Sequence, residues 1–347
     1  MTSTPIGGEQ AAPQPTVAPP AGRAWQRDDG SRLRPGWITV AGKELADHLL
    51  SVRFYVLLVV LGAAALIPLY FAAERIRALA SDASGAAAIF LALFTIGPEG
   101  IGFVRVDQFV AIAGPLLGIG FAFDAVNGER HQGTLPRLLS QPLHRDDVIN
   151  GKFAAGLAVI ALVLVIMAAV ISGFGLLRLG ITPDVSEVLR LVAWLALTVL
   201  YVALWLAFGL LLSVVIRRAA TSALVGFGVW LFVAMPFVGP LLVGLLGRVL
   251  SAGAATAADA GATQQLLLRL LPSQLYAESS LALLNPSLTT VNARDLFSPQ
   301  LEQQIPTLLS VEQSILLIVP HIVVLTALTI GCFALAYARF MRQEVRA

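Results

Sequence analysis

Six stretches of the chain are almost unbroken apolar sequence: 54–73, 108–126, 153–177, 191–216, 219–247 and 313–338. A bilayer core takes about 20 apolar residues as helix, so each is long enough to cross. The first, third, fourth and fifth hold no Asp, Glu, Lys or Arg. The second holds only Asp124, near its end. The sixth holds His321 as its one titratable group besides Cys332 and Tyr337. A seventh run, 86–96, rises about 16 Å as helix, half a bilayer. It predicts an outer-surface or re-entrant segment rather than a crossing.

Between these runs the pattern changes. "WITVAGKELADHLLSVR", 37–53, can place Trp37, Ile38, Leu45 and Leu49 on one helical side, with Lys43, Glu44, Asp47 and Arg53 near water. That pattern predicts an interfacial helix ahead of the first crossing, with Trp at headgroup level; the alternative is a polar extension of that crossing. Segment 248–312 contains "QQLLLRLLPSQLYAESSLALLNP". Leu266, Leu267, Leu270 and Leu271 form an apolar helical face that Pro272 ends. Ser273 is placed to cap a second helix running to Asn285-Pro286. Two amphipathic helices resting on the outer membrane face are expected, with a small ligand-binding domain as the alternative. Residues 1–36 are rich in Pro, Ala, Gly, Thr and Gln, which predicts a disordered cytoplasmic tail. They lack the apolar core of a signal peptide, so the first apolar run is expected to be retained as a crossing. Residues 37–347 then form one six-span domain.

Composition agrees: 57% of the 347 residues are hydrophobic, 13% are charged, and the mean hydropathy is +0.81. Lipid is therefore the expected solvent for most of the chain. Orientation follows from the 23 Lys and Arg. With both termini cytoplasmic, fifteen fall on inner segments and eight on outer ones. The single cysteine excludes an internal disulfide, and the four scattered histidines suggest no metal site.

The densest polar insert is "NGERHQGTLPRLLSQPLHRDDVINGK", 127–152, with seven charged residues and two histidines. Pro136 and Pro142 prevent one straight helix. Gly133-Thr134 reads as a turn and N-cap, and Leu135, Leu138 and Leu139 as the apolar side of a very short helix. Arg145, Asp146 and Asp147 open the next helix, where carboxylates suit an N-terminus. That helix continues through Gly151-Lys152 into the third crossing. The insert lies on the cytoplasmic side; an ordinary solvated loop is the alternative.

The order of these residues resembles the cytoplasmic loop of ABC transporter permeases of the type-2, export-related class. Glu129, Gly133, Thr134, Leu135, Leu138, Leu139, Pro142, Arg145, Gly151 and Lys152 carry the likeness. Lys43-Glu44-Leu45 and Arg53 resemble the same class ahead of its first span. Pro136 departs from the pattern and leaves the start of the short helix open. The resemblance implies an all-α membrane protein in the cell membrane, with six transmembrane helices, an N-terminal interfacial helix and a cytoplasmic coupling helix at 129–143. It implies pairing with a second permease subunit, as homodimer or heterodimer, each resting on a separate ATPase. Glu129, Arg130, Gly133, Thr134, Leu135, Leu138 and Leu139 would form the coupling and ATPase contact. ATP and Mg would belong to that partner, since the chain has no Gly-x-x-x-x-Gly-Lys-Ser/Thr phosphate loop. No cofactor, catalytic residue or nucleic-acid partner is expected in this chain.

His321, beside Pro320, is a candidate intramembrane polar site; the alternative is a neutral imidazole satisfying its neighbours. Asp124 reads as an interfacial anchor and Arg217-Arg218 as a topology anchor. Pro115, Pro236 and Pro240 permit kinks. An ion-coupled carrier or channel would carry charges at mid-membrane or internal repeats, and a membrane enzyme would need clustered catalytic groups; His321 stands alone in this pattern. Cargo is expected to be hydrophobic or amphipathic, from the apolar spans.

Overall fold

A computed structural model describes residues 35–78, 88–97, 105–134, 143–235, 238–250, 266–287 and 308–343. The tail 1–34, the stretch 135–142 with Leu135, Leu138 and Leu139, and much of 248–312 lie outside the described residues. All regular structure among the described residues is helical. The helices are α1 (Gly36–Leu49), α2 (Val52–Ala78), α3 (Ala92–Thr95), α4 (Val106–Ala122), α5 (Asn127–His131), α6 (Arg145–Phe174), α7 (Val185–Val215), α8 (Ala219–Val233), α9 (Val238–Leu250), α10 (Pro272–Leu284) and α11 (Val311–Met341). A π turn, Gly175–Leu179, ends α6.

By length and hydropathy, Val52–Ala78, Val106–His131, Arg145–Leu179, Val185–Val215 and Val311–Met341 can each cross a membrane. Ala219–Val233 and Val238–Val249 can together make a sixth span, bent by 59° between them. Pro240 sits in the first turn of α9, where its missing N–H costs nothing. The six apolar runs and these helices coincide.

α7 is the centre of the bundle, packed by α11, α4, α10, α6 and α8. α4 and α7 meet backbone to backbone at Gly118. A Cβ there would stand 2.7 Å from the Leu206 nitrogen and 2.8 Å from the Val202 carbonyl oxygen. In lipid, where apolar burial drives little association, such close approach by small residues supplies the packing. Pro115 interrupts the hydrogen bonding of α4, and the side chains of neighbouring helices fill the gap. The Tyr201 hydroxyl donates to the Ala111 carbonyl at 3.0 Å, the carbonyl one turn before the proline. The Trp230 indole N–H donates to Ile112 at 2.8 Å.

Four expectations are corrected. The 37–53 segment is not one helix: α1 ends at Leu49, and Arg53 belongs to α2. Glu44 is not near water but buried, because a lysine from α6 reaches it. α10 does not rest on the outside of the bundle as an amphipathic helix. It is buried among α7, α11 and α4, and all but three of its residues are buried. Its serines and tyrosine allow this, since each finds a partner there. The Trp194 indole donates to Ser280 at 2.7 Å, the Tyr276 hydroxyl lies 3.0 Å from Thr198 Oγ1, and the Tyr276 and Tyr201 rings stack at 4.3 Å. Ser273 does not cap α10: its hydroxyl donates to the Val233 carbonyl at 2.6 Å, and Leu271 occupies the N-cap.

The described part of the seventh run is a turn and the four-residue α3, with Phe90, Leu91, Leu93 and Phe94 buried. The Phe90 N–H donates to Glu187 Oε1 at 2.9 Å, which holds this segment against the start of α7. α1 packs across the beginning of α6, burying Val40 and Glu44 while most of its other residues stay partly or fully exposed.

Candidate functional site

The polar insert sits where α1, α5, α6 and the end of α11 converge. Its framework begins with Asp147 in the first turn of α6. Asp147 Oδ2 accepts the His144 N–H at 3.2 Å, and Oδ1 accepts the Trp37 N–H at 3.0 Å. One carboxylate thus satisfies orphan donors at the starts of two helices. Gly36 is required for this approach, since a Cβ there would fall 2.3 Å from Asp147 Oδ2. One turn further along α6, Gly151 meets α1: a Cβ would stand 2.6 Å from Val40 Cβ and 2.9 Å from the Trp37 carbonyl oxygen.

Lys152 closes the crossing. Its side chain is 3% exposed. Nζ lies 3.1 Å from Glu44 Oε1 on α1 and 2.7 Å from Glu129 Oε1 on α5. Lys43 adds contacts of 3.0 Å to both Glu44 and Asp47. Burial pushes the Glu44 carboxyl up, but the Lys152 and Lys43 ammonium groups outweigh it and hold the carboxyl below its ordinary value. Burial also favours the neutral form of His48, whose ring meets the edge of Phe121. Asp124 is an anchor, but to protein: Arg53 grips it with two bonds of 2.8 and 2.6 Å, joining the first two spans. Lys43, Glu44, Arg53, Asp124, Glu129 and Lys152 line a cleft of about 650 Å³.

The base of the insert is held by groups the sequence did not mark. Between α4 and α5 the helix opens, and the freed N–H groups of Val126 and Asn127 donate to Ser213 Oγ at 2.9 and 3.2 Å. Asn127 donates to the Phe123 and Ile216 carbonyls. Gln343, just past α11, accepts a bond from Arg130 through its side chain and one of 3.0 Å from Arg145 through its carbonyl. Its amide donates to the Val214 carbonyl at 2.8 Å. A lone polar residue after a span gives no pattern that would single it out.

The candidate coupling residues therefore divide. Glu129 and Arg130 are gathered into this network. Gly133 makes the expected turn, with a left-handed φ of 69°, and Thr134 donates back to the Glu129 carbonyl at 3.2 Å. Leu135, Leu138 and Leu139 lie outside the described residues.

His321 is far along α11 from this region, and it does not stand alone. Its Nε2 lies 2.9 Å from Glu278 Oε2 on α10. Glu278 has no exposed side-chain surface, and Gln274 and Arg269 also donate to it, at 2.9 and 3.2 Å. His321 Nδ1 is buried and has no hydrogen-bond partner among the described residues. The sequence missed this pair because Glu278 falls in a segment expected at the surface.

A bundle of apolar helices, each long and apolar enough to cross a bilayer and tied at one end by charged bonds, defines a multi-pass membrane protein. The comparisons specify which. The family model described as ABC-2 family transporter protein matches residues 38–345, and the chain belongs to that family. A probable ABC transporter permease protein NosY from Stutzerimonas stutzeri is 33% identical over 129 residues, 35% of this chain and 45% of the relative. Its counterpart from Pseudomonas aeruginosa is 31% identical over 129 residues, with the same shares. The matched region thus spans under half the length of these relatives. The chain is an ABC transporter permease, a class in which ATP hydrolysis lies in a separate subunit and an ABC ATPase is the general partner.

Proposed function

We propose that this permease is the six-span transmembrane subunit of an ATP-driven exporter in the cell membrane. Both termini are cytoplasmic, and residues 1–36 form a cytoplasmic tail. It pairs with a second permease subunit, and each rests on a separate ATPase that holds the ATP and Mg. Segment 129–143 is the coupling helix, with Leu135, Leu138 and Leu139 as its apolar contact and Gly133 and Thr134 as its hinge. α1 lies in the membrane interface.

The observation that carries this reading is the buried Lys152, bonded at once to α1 and α5 from the base of α6. With Arg53–Asp124 between the first two spans, a push on the insert reaches three spans through charge-assisted bonds. A solvated loop needs no such clamp. Cargo is hydrophobic or amphipathic, consistent with apolar spans.

The test is purification from mild detergent, which is expected to recover an ABC ATPase. In the reconstituted complex, Leu138→Asp is expected to leave insertion intact and to uncouple the ATPase from transport, so that ATP hydrolysis no longer drives cargo. Recovery of no ATPase, or full coupling in that variant, overturns the reading.

A further inference from the structure

Glu278 and His321 form a buried carboxylate–imidazole pair at a depth where neither belongs without a reason. His321 lies ten residues into α11 from Val311, about 15 Å along the helix axis and so about half a bilayer from its start. An ionisable pair at that depth costs stability unless something uses it or compensates it. Compensation is present but uneven. Among the described residues, Glu278 Oε1 accepts Gln274 Nε2 at 2.9 Å, while Oε2 is shared by His321 Nε2 at 2.9 Å and Arg269 Nε at 3.2 Å.

The two donors on Oε2 differ. Arg269 is part-exposed and permanently charged. His321 is buried, and with Nε2 donating to the carboxylate, its neutral ring leaves a bare lone pair on Nδ1. That Nδ1 is buried and unpartnered among the described residues. A ring oriented by a carboxylate through one nitrogen, with the other nitrogen free, is built to accept a proton.

The other ionisable groups around the pair are already engaged. On α4, Asp107 is gripped by Arg105 at 3.0 and 2.6 Å. On α7, Arg190 donates to the Leu283 carbonyl at 3.1 Å and to Ser314 at 2.9 Å, and the Tyr201 hydroxyl donates to Ala111. On α10, the Tyr276 hydroxyl bonds Thr198. α3 carries no ionisable side chain, and α6 carries none between Lys152 and Arg178. On α11 itself, Glu312 lies at the first turn, Cys332 three turns beyond His321, and Tyr337 and Arg339 further still. None of these provides His321 with a second charged neighbour to match Glu278 and Arg269.

We propose that Glu278 and His321 are a proton-binding site, with a proton from water taken at His321 Nδ1. The imidazolium then competes with Arg269 for the same carboxylate oxygen. Uptake tightens α11 to α10 and loosens the hold of Arg269 on α10; release reverses this. The step is a single proton transfer, with no other bond made or broken. Proton binding at this pair does not rest on the function proposed above.

The test starts with the permease alone. Its four histidines make imidazole NMR of the ring-labelled protein tractable, with His321→Gln for assignment. The ring resonances are followed from pH 5 to 8, and a proton taken up at His321 is expected to appear as a reversible change in its shifts. Glu278→Gln is expected to lower the midpoint by about one pH unit or more, and Arg269→Gln to raise it, since they remove opposite and like charge. A His321 resonance that does not move across this range, or a midpoint indifferent to both variants, overturns the site. If Glu278→Gln fails to fold, the Arg269 variant decides alone. With the ATPase bound, the pH profile of ATP hydrolysis is expected to differ between wild type and His321→Gln. Identical profiles overturn any role of the proton in the cycle. Failure to recover an ATPase leaves the titration unaffected, so the two readings fail separately.

Discussion

Lys152 and the glycine before it explain one piece of the permease pattern physically. Gly151 lets α1 cross α6 at backbone distance, and Lys152 sets its ammonium between Glu44 of α1 and Glu129 of α5. Replacing Lys152 by Met removes the ammonium that Glu44 and Glu129 share and leaves Glu44 paired with the half-exposed Lys43. A destabilisation of about 3–5 kcal/mol is expected, measured as a lowered unfolding temperature in detergent. Gly151→Val is expected to separate α1 from α6 while the spans still insert, read by protease access to α1. Acid should act at the same point. Glu44 has a folded pKa below its ordinary value, so its contribution is complete above about pH 4.5 and is lost as pH falls through the folded value. An unfolding temperature that drops below pH 4.5 in wild type, and drops less in Glu44→Gln, is the expected outcome. These residues were legible only in part. The sequence placed Glu44 near water because a carboxylate reads as solvated until a partner is known, and Lys152 lies 108 positions away.

Among the helices, long apolar runs were read correctly because lipid leaves the backbone little choice. The start of α6 at Arg145 was also legible, from its acidic first turn. α10 was misread for an identifiable reason. Its sequence mixes Ser, Gln, Glu and Tyr with Leu, which resembles a surface helix, yet the partners that pay for burial come from α7 and α11. The kink residue of α4 shows the same dependence on distant helices. Tyr201→Phe removes the donor to the Ala111 carbonyl and leaves it buried without a partner, at a cost of about 1–3 kcal/mol. Thermal unfolding of the purified variant checks this, and Tyr201→Leu should cost more by losing the stack on Tyr276 as well.

Taken whole, the molecule is asymmetric along the bundle axis. One end gathers Lys152, Arg53, Arg130 and Arg145 into a network joining α1, α2, α4, α5, α6, α7 and the chain after α11. Toward the other, α10 threads polar groups into the apolar interior. The charged end was visible in the sequence as a dense insert; the polar interior was not, because its members are spread over residues 107 to 321. The Lys152 and Glu44 variants belong to the first end and the His321 titration to the second. Gln343 adds a constraint in time. It is bonded to Arg130 and Arg145, which precede it by 213 and 198 positions. The ribosome therefore finishes α11 before Gln343 can tie Arg130 to Arg145, so a half-made chain lacks this brace across the two ends of the insert.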